Sequence, residues 1–130
     1  MKKALLCLLL SLPSASFAQS SETDKVLGLS DENESVYLAC SNERDLEYAD
    51  VRISVYAGSQ GSNHYDGHLA TGDVYTDIDI YDGLNNITVL YIDESEGFVL
   101  HYAISLADLS YDFTASGSKH GFGKGTCEIE

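Results

Sequence analysis

Basic residues are scarce in this chain, and their scarcity limits what the protein can bind. The 130 residues include seven Lys or Arg against 21 Asp or Glu, which gives a formal net charge of −14. No Lys or Arg occurs between Arg52 and Lys119. Because affinity for nucleic acid depends on cations that neutralise phosphates, we predict no nucleic-acid partner. Such a field attracts a cationic protein, a polyamine or a divalent metal, although an acidic surface also serves simply to keep a monomeric exported protein soluble.

Long apolar runs are also missing. Residues 4–12 form the longest one, and as a helix they would rise only ~14 Å, about half of a hydrocarbon core. Lys2 and Lys3 precede this run, and the small residues Ser16 and Ala18 follow it at the positions that a signal peptidase reads. We therefore predict that residues 1–18 are a signal peptide cleaved after Ala18. The mature protein is expected to be periplasmic or secreted, without membrane insertion.

Cysteine is the third scarce residue type. Of three cysteines, Cys7 lies in the predicted signal peptide, which leaves Cys40 and Cys127 in the mature chain. In an oxidising compartment two cysteines have one possible pairing, so we predict a disulfide that closes a loop of roughly 88 residues. Two free thiols or a metal-binding pair are the alternatives.

The sequence is rich in apolar and polar residues that alternate, the pattern of half-buried strands. We predict a flexible polar leader over residues 19–33 and a single all-β domain over residues 34–130. Seven or eight antiparallel strands are expected, arranged as a small sandwich or closed barrel. The inward positions of the first strands are Val36, Leu38 and Cys40, then Val51, Ile53 and Val55.

Other segments predict turns or a different pattern of burial. Residues 58–67 are expected to form a flexible loop, and residues 87–92 a strand buried on both faces. A change of apolar phase predicts a turn at Ala107 and Asp108. A glycine-rich loop over residues 116–125 is expected to precede a short last strand, residues 126–129.

That glycine-rich loop carries the first candidate binding site. It holds the basic cluster of the mature domain together with an aromatic residue, in the set Ser116, Ser118, Lys119, His120, Phe122 and Lys124. Residues 116–120 resemble the inhibitory loop of periplasmic C-type lysozyme inhibitors, with histidine where that family has tyrosine. The resemblance covers five residues, and it implies a disulfide-closed β-barrel that blocks the cleft of a cationic cell-wall hydrolase.

Two further clusters are candidates for ligand binding. His64 and Tyr65 lie in the predicted loop and His68 directly follows it. Imidazole beside carboxylate is suited to a transition metal or to polar contacts with a partner. Asp77, Asp79 and Asp82 alternate before a glycine and superficially resemble a calcium loop, although the EF-hand spacing is absent. A calcium-dependent structural or adhesive domain is therefore one hypothesis.

Catalytic motifs are not recognisable in the chain. It contains no Gly-x-Ser-x-Gly element, and residues 118–126 depart from the phosphate-loop spacing. We therefore predict an exported binding domain that is not an enzyme and takes no cofactor. An inhibitor of a cationic cell-wall hydrolase is the second hypothesis.

Overall fold

A computed structural model describes residues 22–30, 34–57 and 64–130. The predicted signal peptide lies outside these residues. Over these residues the chain forms one short helix followed by eight strands: α1 (Glu22–Leu27), β1 (Ser35–Asn42), β2 (Val51–Tyr56), β3 (His64–Thr71), β4 (Val74–Asp82), β5 (Asn86–Asp93), β6 (Phe98–Ser105), β7 (Ser110–Gly117) and β8 (Gly121–Ile129). No helix among the described residues has the length and apolarity needed to cross a membrane.

The strands form a closed antiparallel barrel in which each strand pairs with the next in sequence and β8 pairs with β1. Cys40 and Cys127 are cross-strand partners in the β1–β8 ladder, and they are joined by a disulfide. The predicted all-β fold and its disulfide are therefore confirmed. A disulfide fits an oxidising extracellular compartment.

The barrel interior is filled by alternate side chains from the strands. The predicted inward rows of β1 and β2 are buried as expected, and β6 contributes Phe98, Leu100, Tyr102 and Ile104. The predicted phase change is also confirmed, because residues 106–109 form the turn between β6 and β7. Leu109 adopts a φ of 61° there.

Each end of the barrel is covered by a segment of the chain itself. At the lower end, where β4 ends and β5 begins, α1 contributes the buried Leu27, and Thr23 donates a hydrogen bond to Asp82. At the upper end, the loop of residues 43–50 turns into the barrel. The hydroxyl groups of Tyr102 and Tyr111 donate 2.6 Å hydrogen bonds to the carbonyl groups of Tyr48 and Ala49.

The helix α1 differs from the flexible leader expected from the sequence. Acidic residues in its first turn and Lys25 in its last turn suit the helix dipole. Gly28, with a φ of 78°, ends the helix and donates its N–H to the Asp24 carbonyl. Leu27 and Leu29 then enter the core, so two apolar residues in a polar segment are enough to attach it.

The prediction of a glycine-rich loop over residues 116–125 is also wrong, because most of this segment is strand. Ser116 and Gly117 end β7, and β8 already begins at Gly121. At Gly125 a Cβ atom would meet the Ser41 carbonyl oxygen and lie 2.7 Å from the Tyr111 ring. The glycines therefore leave room for the interior side chains rather than loosen the backbone.

Two further expectations about strands are wrong. His64 opens β3, so residues 64–67 are paired strand and not flexible loop. In β5, burial alternates instead of covering both faces. Leu90 and Ile92 are 39% and 57% exposed on the outer face.

Candidate functional site

The charges are segregated around the barrel. The contiguous strands β3 to β6 with their turns, residues 64–105, contain no Lys or Arg; we call this half of the barrel the acidic wall. Its carboxylates are Asp66, Asp73, Asp77, Asp79, Asp82, Asp93, Glu94 and Glu96. No Lys or Arg within the wall offsets these carboxylates, which lie on β3, on β4, at the end of β5 and in the β3–β4 and β5–β6 turns.

Three of the five described basic residues outside the wall form ion pairs. Arg52 pairs with Glu130, and Lys119 lies 3.2 Å from a Glu47 oxygen. Lys124 lies 3.8 Å from Asp112. These ion pairs join groups outside the wall, so they leave its charge uncompensated.

In the middle of the acidic wall, β4 and β5 are paired over only part of their length. Their ladder has only three residue pairs, ending at Ile80 and Val89. By contrast, β4 pairs with β3, and β5 with β6, over eight residue pairs each. Residues 74–79 and 90–93 therefore lack the β4–β5 pairing. We call these two unpaired stretches the seam.

Aromatic side chains close the inner side of the seam. Tyr48 stacks on Phe98 with ring centroids 5.5 Å apart, and Tyr91 packs against the same Phe98 ring at 6.1 Å. The hydroxyl groups of Tyr48 and Tyr91 donate hydrogen bonds to Asp73 and Asp93. The seam thus has an aromatic floor and acidic residues at its upper end.

These contacts shift the pKa values of the groups involved. Burial, reinforced by the hydrogen bond and charge of Asp73, raises the pKa of Tyr48 to about 12. Burial and Asp93 raise the pKa of Tyr91. Hydrogen bonds from the Glu96 backbone and from Ser95 lower the pKa of Asp93, so this carboxylate is charged at neutral pH.

Exposed apolar residues line the outer rim of the seam. Leu90 and Ile92 project from β5, Val99 is the cross-strand neighbour of Ile92, and Tyr75 on β4 is 78% exposed. Sequence reasoning missed this rim because residues 87–92 look like a strand buried on both faces. The exposed pair becomes apparent only once the barrel defines which face of β5 is inside.

The residues of the first candidate site are divided between two strands and a tight turn. Ser116 lies on β7, Phe122 and Lys124 lie on β8, and residues 118–120 connect the strands. Ser118 donates hydrogen bonds to the carbonyl groups of Gly97 and Glu96. Lys119 is held by Glu47 and lies 5.7 Å from the Tyr48 ring centroid.

Most members of this set are exposed to solvent. Phe122 is 70% exposed and lies under the Arg44 guanidinium at 5.4 Å, while His120 is exposed in the turn. The structure therefore places Lys119 against the upper end of the barrel, whereas the other members of the set are exposed: Ser116, Ser118, His120, Phe122 and Lys124.

The histidines form a different arrangement, on the outer face of β3 and β4. His64 Nε2 lies 3.3 Å from Asp66 and 3.1 Å from Asp79. His68 Nδ1 lies 3.2 Å from Asp77. Tyr65 points inward, is buried and donates to Asp24, so it is separated from both histidines.

The three aspartates considered for calcium are not brought to one point. Asp77 contacts His68, Asp79 contacts His64, and Asp82 accepts from Thr23. Among the residues that the structure describes, the group with ligand atoms close enough to share a metal ion is His64, Asp66 and Asp79.

Comparisons with family models, with curated proteins and with solved structures found no match for this chain.

Proposed function

We propose that this protein is an exported, non-enzymatic interaction domain whose acidic wall binds an extended cationic segment of another protein. The observation that supports this proposal is the seam, an unpaired stretch of two strands in the middle of a wall without basic residues. Export follows from the signal peptide proposed for residues 1–18. The disulfide suits either a periplasmic or a secreted location.

An unpaired strand segment offers backbone N–H and C=O groups to an added strand. Residues 74–79 are fully paired with β3 on one side only, which leaves their other side for a guest. A guest strand would alternate its side chains between the two faces. Its inward side chains would lie over Tyr91 and Val74, and its outward ones beside Asp77 and Ile92.

Charge determines which guest is favoured. The Asp77 side chain is 95% exposed, and Asp73 and Asp93 lie at the upper end of the seam. Lysine or arginine at the outward positions of a guest would meet carboxylates, and the field of the whole wall would speed its approach. The preferred partner is therefore a cationic segment with apolar residues at alternate positions.

A direct test uses a short synthetic peptide that alternates lysine and valine, together with its counterpart carrying N-methyl groups on alternate backbone amides. We expect the unmodified peptide to bind at low salt and more weakly at high salt, and to protect amides in residues 74–79 and 90–93 from hydrogen exchange. N-methylation keeps the charge but removes N–H donors, so binding should fall at least tenfold. Equal binding of both peptides would refute docking by strand addition.

Variants separate the wall from other acidic groups. Asp77→Asn should weaken peptide binding by about threefold to fivefold, the usual size of an exposed charge effect. Glu128→Gln removes one charge from β8, outside the wall, and should leave binding unchanged. Equal losses in the two variants would mean that net charge alone, and not the wall, attracts the peptide.

A cationic cell-wall hydrolase is the partner class implied by the resemblance of residues 116–120 to the lysozyme inhibitors. Inhibition of a lysozyme by the wild type, by Lys119→Ala and by Asp77→Asn tests this possibility. Because Lys119 is already paired with Glu47, we expect any inhibition to be more sensitive to Asp77→Asn. An inhibitor that depends on Lys119 alone would instead use the turn between β7 and β8.

A further inference from the structure

We propose that His64, Asp66 and Asp79 bind one divalent transition-metal ion on the outer face of β3 and β4. This inference does not rest on the proposed interaction function, because it is argued from the geometry of His64, Asp66 and Asp79 on the outer face of the β3–β4 hairpin and not from the missing β4–β5 pairs. The ion class follows from the ligands. One imidazole nitrogen and two carboxylate oxygens suit Zn²⁺ and its neighbours in the first transition row.

The positions of the ligand atoms support a shared ion. One ligand atom from each of the three side chains lies within 4.8 Å of the other two. His64 Nε2 is 3.1 Å from Asp79 Oδ1 and 3.3 Å from Asp66 Oδ1. Zinc bonds of about 2.1 Å in a tetrahedral site place neighbouring ligand atoms ~3.4 Å apart, so small rotations of the carboxylates bring the three atoms to one ion.

The strand register gives an independent argument for a cation at this position. Asp66 and Asp79 are direct cross-strand partners, and like charges placed directly opposite each other destabilise a sheet. The acidic wall contains no Lys or Arg to offset this repulsion. A divalent ion held between the two carboxylates and His64 would remove it.

The backbone that carries the ligands is held in place. The three residues lie on β3 and β4, which pair over eight residue pairs from His64 and Tyr81 to Thr71 and Val74. The sequence placed His64 in a flexible loop, which argued against a metal site. The observed hairpin supplies the fixed spacing that metal ligands need.

The site is open on its outer side. The side chains of Asp66 and Asp79 are 56% and 59% exposed, so a bound ion would keep positions for water or for a donor atom of another molecule. The neighbouring His68 has one carboxylate, Asp77, within hydrogen-bond distance. It therefore lacks the third ligand that distinguishes the His64 cluster.

Calorimetric titration of the disulfide-bonded protein with Zn²⁺ tests the proposal. We expect saturable binding of one ion per chain, with chemical-shift changes centred on residues 64–66 and 79. His64→Gln should weaken binding at least tenfold, as removal of a single ligand or its support does elsewhere. His120→Gln removes an exposed histidine at the upper end of the barrel and should leave the affinity unchanged.

A calcium site and a simple ion pair would give different results in this titration. Calcium should not displace the zinc, because imidazole favours transition metals over Ca²⁺; displacement would contradict the assignment of His64 as a ligand. If His64 is only an ion-pair partner of the two aspartates, no saturable zinc binding will be seen and the proposal fails. Asp66→Asn is a second variant that should also weaken binding, with circular dichroism to verify that the barrel is folded.

Discussion

Removing the disulfide measures how much of the barrel's stability comes from linking its first and last strands. The bond joins residues separated by 87 positions, so it restricts nearly the whole described domain in the unfolded state. The chain-entropy relation gives about 4.5 kcal/mol for a loop of this size. That is a large part of the roughly 5–15 kcal/mol by which domains are usually stable.

The test is the double variant Cys40→Ala/Cys127→Ala, compared with the oxidised and the reduced wild type in urea unfolding. With a urea dependence of about 1–3 kcal/mol per molar, we expect the midpoint to fall by ~1.5 M or more. The reduced wild type should match the variant. Because five cross-strand pairs still join β1 to β8, the variant should keep the circular dichroism of a folded barrel before it unfolds.

A loss of less than about 1 kcal/mol in the free energy of unfolding would refute the entropy argument. Such a result would mean that the unfolded chain already keeps β1 near β8.

Three further predictions concern the interior. Gly125→Ala should lower the free energy of unfolding in urea by about 3 kcal/mol, because its Cβ would overlap backbone atoms. Gly121→Ala should change stability little, because the nearest side-chain atom lies 4.0 Å from the added Cβ. Equal effects of the two substitutions would contradict the packing argument. Tyr102→Phe leaves the buried Tyr48 carbonyl without its donor and should cost about 1–3 kcal/mol, while exposed Tyr37→Phe should be neutral. The pKa of Tyr48 is about 12 in the folded state and about 10 in the unfolded state. The contribution of neutral Tyr48 to the free energy of unfolding is therefore complete below pH 10 and is lost as the pH rises toward 12. Absorbance titration should therefore show late-ionising tyrosines that titrate together with alkaline unfolding; a single step near pH 10 in a still-folded protein would contradict this.

The fold was largely predictable from local pattern, because alternating apolar and polar residues indicate strands with one face in the interior and the other in solvent. Val36, Leu38 and Cys40 were assigned to the interior on this basis, and they are buried. The same reasoning failed at residues 87–92, since a continuous apolar run does not distinguish a strand buried on both faces from one with an exposed apolar side. It also missed α1, whose attachment depends on contacts with distant strands.

The candidate sites were less predictable because they depend on register. His64 and Asp79 are 15 residues apart in sequence, and only the pairing of β3 with β4 places them 3.1 Å apart. The seam exists because the β4–β5 ladder ends after three residue pairs, and composition carries no signal for that. The sequence did indicate where negative charge accumulates, because the interval without Lys or Arg includes the four neighbouring strands of the acidic wall.

The order of strands around the barrel has a consequence for how the chain folds. Seven of the eight ladders join strands that are adjacent in sequence, so hairpins can form one after another with short loop closures. The eighth ladder, between β1 and β8, requires the two remote strands to meet. We expect oxidation of Cys40 and Cys127 to follow that meeting, so that the covalent bond records completed closure and does not guide the earlier steps.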